Sequence, residues 1–246
     1  MEAAIRFDGI TKSFGALRVL DDVSFQVPRG TVLCVLGRSG TGKSVLLKQL
    51  VGLLKPDAGR IYVEGQEITA LAPGELARIR MRMGFLFQYS ALFDSISVGE
   101  NVAFPLRRHT KLSEAEIGDR VTEKLRRVGL EGVLHKAPSE ISGGMRKRVG
   151  LARALALEPQ ILLADEPSSG LDPVTSQEID ELLLDLKHTE GTTMVVVTHN
   201  IPSARRIGDE LALLHQGRIL ASGSAAELER SEHPLVQEFM KSEGAI

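Results

Sequence analysis

The chain has one cysteine, no tryptophan, 4% aromatic residues and no surplus of positive charge, since 30 Lys and Arg stand against 32 Asp and Glu in 246 residues. Each shortage removes a class of protein. The lone thiol, Cys34, can neither close an intrachain disulfide nor supply a cysteine-rich zinc site, and it suits a reducing compartment. A formal charge of −2 lacks the positive field that neutralises a phosphate backbone, so nucleic acid is not an expected partner. No apolar run approaches the roughly eighteen residues that span a bilayer, and Met1 to Gly9 has neither the basic nor the apolar region of a signal peptide. Insertion or export of the chain by itself is therefore not expected. Internal repeats, low-complexity tracts and heptads are missing too, which leaves the order of local patterns as the guide to organisation.

That order is α/β. Ile5 to Phe7, Leu17 to Leu20 and Val23 to Val27 read as three short strands, divided by Gly15, Asp21 and the turn at Pro28, Arg29 and Gly30. Thr31 to Leu36, Ile161 to Ala164 and Met194 to Val197 are, Thr31 apart, apolar on both alternating sets of side chains, as strands buried on both faces are. Between the last two, Asp172 caps and Pro173 opens a helix whose inner face carries Ile179, Leu182, Leu183 and Leu186. Residues from about 88 to 158 have mainly helical periodicity. There Ser113 and Glu116 form a capping box, and the helix they open aligns Ile117, Val121, Leu125 and Val128 before stopping at Gly129. Core strands lie on both sides of this stretch, so it reads as a helical subdomain inserted into one domain spanning residues 1–246.

Gly37, Arg38, Ser39, Gly40, Thr41, Gly42, Lys43 and Ser44 fit GxxxxGK[ST], directly after a buried strand and directly before the helix expected over Lys43 to Val51. The glycines let successive N–H groups turn inward around phosphates, the lysine reaches the β and γ oxygens, and the hydroxyl serves Mg²⁺. Ile161 to Glu166 is the complement, an apolar strand ending in two carboxylates. At the carboxyl edge of an open α/β sheet Asp165 meets the metal and Glu166 points toward the γ-phosphate. GTP is excluded as the favoured nucleotide, because neither NKxD nor DxxG occurs.

Ile141, Ser142, Gly143, Gly144 and Met145 stand just before a helix and about twenty residues ahead of the Asp165, Glu166 pair. With these in place the chain resembles an ABC-type ATPase over essentially its whole length. The resemblance assigns a glutamine loop at Gln88, a signature at Ser142 to Gly144, a loop at Ser169 to Asp172, and His199 after the last core strand. It implies that two copies pack head to tail, with ATP and Mg²⁺ between Gly37 to Ser44 of one and Ser142 to Gly144 of the other. Asp172 would make a contact across that pair. The resemblance further implies that Glu166 is the base, with His199 and Gln88 at the γ-phosphate, and that Ser44, Gln88 and Asp165 hold the metal. Phe14 takes the place where the family stacks an aromatic, usually Tyr, on adenine. The signature departs from LSGGQ at Ile141 and Met145, leaving Ser142 to Gly144 unchanged. Plainer readings stand beside these: Asp172 and Ser142 as helix caps, His199 as a polar strand end, Phe14 as core. The clusters Arg78, Arg80 and Arg82, Arg107 and Arg108, and Arg146, Lys147 and Arg148 read mostly as solvated faces, with a partner contact left open for the last group, whose cations oppose the dipole at the start of a helix.

A cassette without membrane spans implies separate permease subunits, received by family members in the insertion after Gln88. Phe87 to Asp94, Val98 to Thr110 and Met145 are similar to the ATPases of Mce-type or Mla-like lipid transport systems. That narrower likeness implies a phospholipid or other hydrophobic cargo, a place on the cytoplasmic face of the inner membrane, and an Mce-type substrate-binding protein in the same complex. Some relatives carry a longer C-terminal extension and a small regulatory partner, which the end at Ile246 leaves open. The alternatives are a cassette for a polar solute such as an amino acid, or a non-transport ABC ATPase. The latter usually has a coiled-coil insertion or tandem cassettes, and neither pattern is present.

Overall fold

The computed structural model describes residues 3–241, so Met1 and Ile246, on which two of the expectations above touch, lie outside the described residues. In chain order the elements are β1 (Ala3–Phe14), β2 (Leu17–Pro28), β3 (Val32–Leu36), α1 (Lys43–Leu50), β4 (Ala58–Val63), β5 (Gln66–Glu67), α2 (Pro73–Arg80), β6 (Met83–Leu86), α3 (Val98–His109) and α4 (Glu114–Arg127). After a short 3-10 turn at Pro138–Glu140 come α5 (Gly143–Ala154), β7 (Ile161–Asp165), α6 (Pro173–Glu190), β8 (Thr193–Thr198), α7 (Ile201–Ile207), β9 (Glu210–His215), β10 (Arg218–Gly223), α8 (Ala225–Glu229) and α9 (Pro234–Lys241).

Every residue of β3, β7 and β8 is buried, as the apolar runs that form most of each require. These strands form the middle of a six-stranded sheet in the order β10-β9-β3-β8-β7-β6, parallel except for β10. Successive residues serve opposite faces. Val32, Cys34 and Leu36 join a core with the helices of the insertion and with α6 and α7, whereas Leu33 and Val35 join one with α1 and the second sheet. Cys34 is fully buried there, and desolvation pushes its thiol well above the usual range, so it acts as a small apolar residue. The second sheet is antiparallel, β2-β1-β4-β5. Among the described residues no helix is long and apolar enough to cross a membrane.

One expectation is corrected. Leu17 to Leu20 and Val23 to Val27 belong to a single strand, because Asp21 and Asp22 sit at an irregularity in its pairing with β1 rather than in a turn. Asp22 takes a positive φ of 55°, and its N–H donates to Thr11 Oγ1, so the break is absorbed as a bulge.

The helical stretch between β6 and β7 follows its sequence signals. Ser113 Oγ accepts from Glu116 N while the Glu116 carboxylate accepts from Ser113 N, and Ile117, Val121, Leu125 and Val128 are buried. Gly129 ends the run at φ 69°.

Candidate functional site

β3, β7 and β8 run parallel in register, Leu36 beside Thr198 and Asp165 beside Val197. The residues that follow them therefore emerge together at one sheet edge. A cavity of about 690 Å³ opens there, lined among others by Gly37, Arg38, Ser39, Gly40, Gly42, Lys43, Ser44, Gln88, Glu166 and His199. Leu235, Glu238 and Phe239 of α9 line it as well.

The phosphate loop has the shape its glycines permit. Gly42 lies at φ 100°, where a Cβ would meet Val19 Cγ1 at 2.8 Å, and a Cβ on Gly37 would stand 2.7 Å from the Leu214 carbonyl. Thr41 Oγ1 donates to the Arg38 carbonyl at 2.9 Å, and Arg38 pairs with Glu238 at 3.1 Å. The helix α1 that follows opens without a side-chain cap, so its first N–H groups and dipole face the cavity end. Lys43 Nζ is buried. It donates to the Gly37 carbonyl at 2.7 Å and the Arg38 carbonyl at 3.1 Å, and stands 3.5 Å from Glu166 Oε1.

The two acids are held differently. Asp165 Oδ1 accepts from Ser44 Oγ at 2.9 Å, and burial raises its carboxyl above the usual range against the opposing pull of that bond and of nearby lysines. Glu166 has a positive φ of 49° and is 7% exposed. Its Oε2 accepts from Thr198 Oγ1 at 3.2 Å, His199 N at 3.3 Å and His199 Nδ1 at 2.9 Å. A carboxylate only accepts, so Nδ1 carries the hydrogen in this pairing.

The remaining sequence candidates lie outside this lining. Ser142 is the N-cap of α5, its Oγ accepting from Met145 N at 3.2 Å, with Gly143 and Gly144 in the first turn. Asp172 caps α6 through Val174 N and Thr175 N, and a 2.6 Å bond from Thr175 Oγ1 leads the hydrogen bonds that hold its carboxyl below the usual range. Phe14 is about half exposed at the end of β1, with Lys12 Nζ 5.6 Å from its ring centroid.

The sequence reading of the basic clusters as mostly solvated faces holds for Arg78, Arg80, Arg82, Arg107, Arg108 and Arg146, which are exposed, and is corrected at Lys147. Lys147 is only 5% exposed and donates to the carbonyls of Gln88 and Glu166. Its signal was phase: Lys147 stands three and four residues before Gly150 and Leu151, both buried on α5. Arg107 pairs with Glu100 and Glu114, Arg148 with Glu178, and Arg80 Nε donates to the Val51 carbonyl.

Sequence reasoning also missed Asn101, fully buried in α3. Its side chain accepts from Phe93 N at 2.8 Å and donates toward the carbonyls of Phe93 and Ser97, both at 3.0 Å. Asn101→Ala leaves those groups without their partner. It should lower stability by about 2–3 kcal/mol, a fall of roughly 5–10 °C in Tm. Nucleotide affinity, measured on the same samples, should not change.

A glycine-rich loop between a buried strand and a helix, with a lysine and paired acids around one cavity, defines a phosphate-loop nucleotide hydrolase. Three comparisons narrow the class. The family model described as ABC transporter matches residues 20–169. The probable ribonucleotide transport ATP-binding protein mkl of Mycobacterium leprae is 48% identical over 240 residues, covering 98% of this chain and 69% of that protein. The intermembrane phospholipid transport system ATP-binding protein MlaF of Escherichia coli K12 is 41% identical over 222 residues, 90% of this chain and 82% of that one. Among solved structures, a dimeric ATP-binding cassette, MJ0796, in a post-hydrolysis state with ADP and Pi superposes with a TM-score of 0.84 at 34% identity, over 89% of this chain and 98% of the other. The chain belongs to the ABC transporter family, and it is an ATP-binding, ATP-hydrolysing subunit.

The residues present fit ATP and a divalent cation. A side chain at Gly37 or Gly42 would strike its neighbours, the uncapped start of α1 favours anions, and the Ser44 hydroxyl beside the Asp165 carboxylate supplies the hard oxygen donors Mg²⁺ takes.

Proposed function

We propose that ATP hydrolysis by this chain drives a phospholipid or other hydrophobic lipid between envelope membranes through a separate permease. The observation that carries the reading is the 41% identity to MlaF across 90% of the chain. Transport of a polar solute, to which the ribonucleotide transport in the name of mkl points, is the reading not favoured. The chain works from the cytoplasmic face of the inner membrane, and an Mce-type substrate-binding protein belongs to the same complex.

In this reading Gly37 to Ser44 wrap the phosphates, Ser44, Asp165 and Gln88 hold Mg²⁺, and Phe14 stacks on adenine. Mg²⁺ held there would supply positive charge against the phosphate oxygens. Lys43 has to give up its carbonyls and Glu166 to reach a phosphate oxygen, which leaves Glu166 free to take a proton from water. His199, bonded to Glu166 through Nδ1, keeps that carboxylate in place. Ser142 to Gly144 of a second copy complete the site by adding a helix N-terminus and a hydroxyl, and Asp172 borders the same contact. The MJ0796 cassette, which is dimeric, supports that arrangement.

Exposed aromatics beside the Gln88 loop support the permease contact. Tyr89 is 86% exposed, and Phe93 and Phe104, both about half exposed, pack with ring centroids 5.0 Å apart and ring planes tilted by 53°. The test is purification of the tagged chain from detergent-solubilised membranes, followed by lipid mass spectrometry and phosphate release in proteoliposomes. Enrichment of particular phospholipids over the bulk extract, with hydrolysis stimulated by the permease, is the expected result. A complex that carries no lipid above background and is stimulated by a soluble nucleotide or amino acid instead sinks the lipid reading.

A further inference from the structure

Lys147 joins three stretches of chain. From α5 its Nζ donates to the main-chain carbonyl of Gln88 in the loop after β6, and to that of Glu166 in the turn after β7 at 2.9 Å. Ser169 Oγ accepts from it at 3.4 Å. Both carbonyls belong to residues whose side chains line the cavity. Six residues further along the same helix Arg153 donates to the carbonyls of Ser90 at 2.5 Å and Ala91 at 2.7 Å. Those two residues have positive φ, 61° and 47°, so the loop is held in a conformation that its own sequence disfavours.

Stability alone does not explain a lysine here. The ammonium is buried, and taking a charge out of water carries a cost that its hydrogen bonds have to offset. An apolar side chain would fill this face of α5 with no charge to desolvate. What the ammonium adds is three directed donors on one atom, enough to hold two loops at fixed positions relative to one helix.

We propose that Lys147 is a positioning residue for hydrolysis, fixing the Gln88 loop and the Glu166 turn to one point on α5 so that the two side chains shift together when the helical stretch is displaced. The proposal rests on the roles given above to Gln88 and Glu166. A displacement applied at Tyr89, Phe93 or Phe104 would then reach both through one side chain. Lys147 touches neither nucleotide nor water in this scheme.

The experiment compares the full chain with Lys147→Met, which removes every donor, and Lys147→Gln, which keeps a shorter one. Phosphate release is followed over an ATP titration, binding is measured with the fluorescent analogue TNP-ATP, and amide exchange is read by mass spectrometry. Misplacing reacting groups by about 1 Å costs roughly 10²-fold, so kcat should fall about 10- to 100-fold in both variants. KM and the TNP-ATP dissociation constant should stay within roughly threefold of the parent. Exchange should quicken in peptides covering residues 86–92 and 165–170 and not in the phosphate loop. A parent-like kcat in either variant, or a loss of TNP-ATP affinity that matches the loss of rate, overturns the proposal. If Lys147→Met does not stay soluble, Lys147→Gln decides by the same criteria. Lys43→Ala is run alongside: full activity in that variant would point instead to an error in the site itself.

Discussion

Glu166→Gln should hydrolyse ATP about 10²- to 10⁴-fold more slowly than the parent, the usual cost of removing a general base. At about 1.36 kcal/mol per decade this raises the barrier by roughly 2.7–5.4 kcal/mol. The buried carboxylate accepts from Thr198 Oγ1 and from both the main chain and ring of His199, so its direction is set before any water arrives. Glutamine is nearly isosteric and keeps one acceptor, but it cannot take a proton from water. It also removes a negative charge from beside the γ-phosphate, which favours the closed pair of subunits. Size-exclusion chromatography with Mg²⁺ and ATP should therefore show a persistent dimer for Glu166→Gln. Asp165→Asn should not trap one, because it weakens the cation shell shared with Ser44 and with it productive nucleotide binding. Turnover by Glu166→Gln within a few fold of the parent, or a trapped dimer with Asp165→Asn, would mean that the two acids have been given the wrong roles.

Lys43→Ala should cost nucleotide affinity where Glu166→Gln does not. Two charge-assisted bonds to phosphate oxygens, at about 1.5–3 kcal/mol each, correspond to roughly 10²- to 10⁴-fold in the dissociation constant. Without ligand the change should be small. Lys43 Nζ donates to the carbonyls of Gly37 and Arg38, residues that line an open cavity, so water can replace it and stability should move by only about 1 kcal/mol. Calorimetric titration with ATP and thermal melts with and without nucleotide measure both quantities. An affinity within a few fold of the parent would remove the loop from the phosphate site.

What the sequence made legible depended on how completely tertiary context agreed with local pattern. Val32 to Leu36, Ile161 to Ala164 and Met194 to Val197 announce themselves because both of their faces are covered, leaving no position for a polar residue to blur the run. The phosphate loop is legible for a different reason: each glycine and the lysine answer a local demand, and Gly42 shows it in its φ of 100°. Asp21 and Asp22 misled because a bulge and a turn ask for the same residue types. Lys147 misled because a charge usually marks a solvated face, and its acceptors are main-chain carbonyls distant in sequence that no side-chain pattern records. Asn101 is hidden in the same way, since its partners are backbone groups of the loop before α3.

The place of β3 in its sheet bears on how the chain is made. Val32–Leu36 is the earliest of the six strands in the sequence, yet its two hydrogen-bonded neighbours are β8 and β9, which begin only at Thr193 and Glu210. A ribosome releasing this protein from its N-terminus exposes five consecutive apolar residues, with both edges unpaired, long before either partner strand exists. The antiparallel hairpin of β1 and β2 can form at once, whereas the sheet that aligns Gly37 with Glu166 and His199 must wait for almost the whole chain. Such late, distant pairing makes for slow folding and for an intermediate that invites aggregation or chaperone capture. ATP, whose proposed binding groups follow the same strands, can stabilise the finished subunit but cannot guide its early assembly.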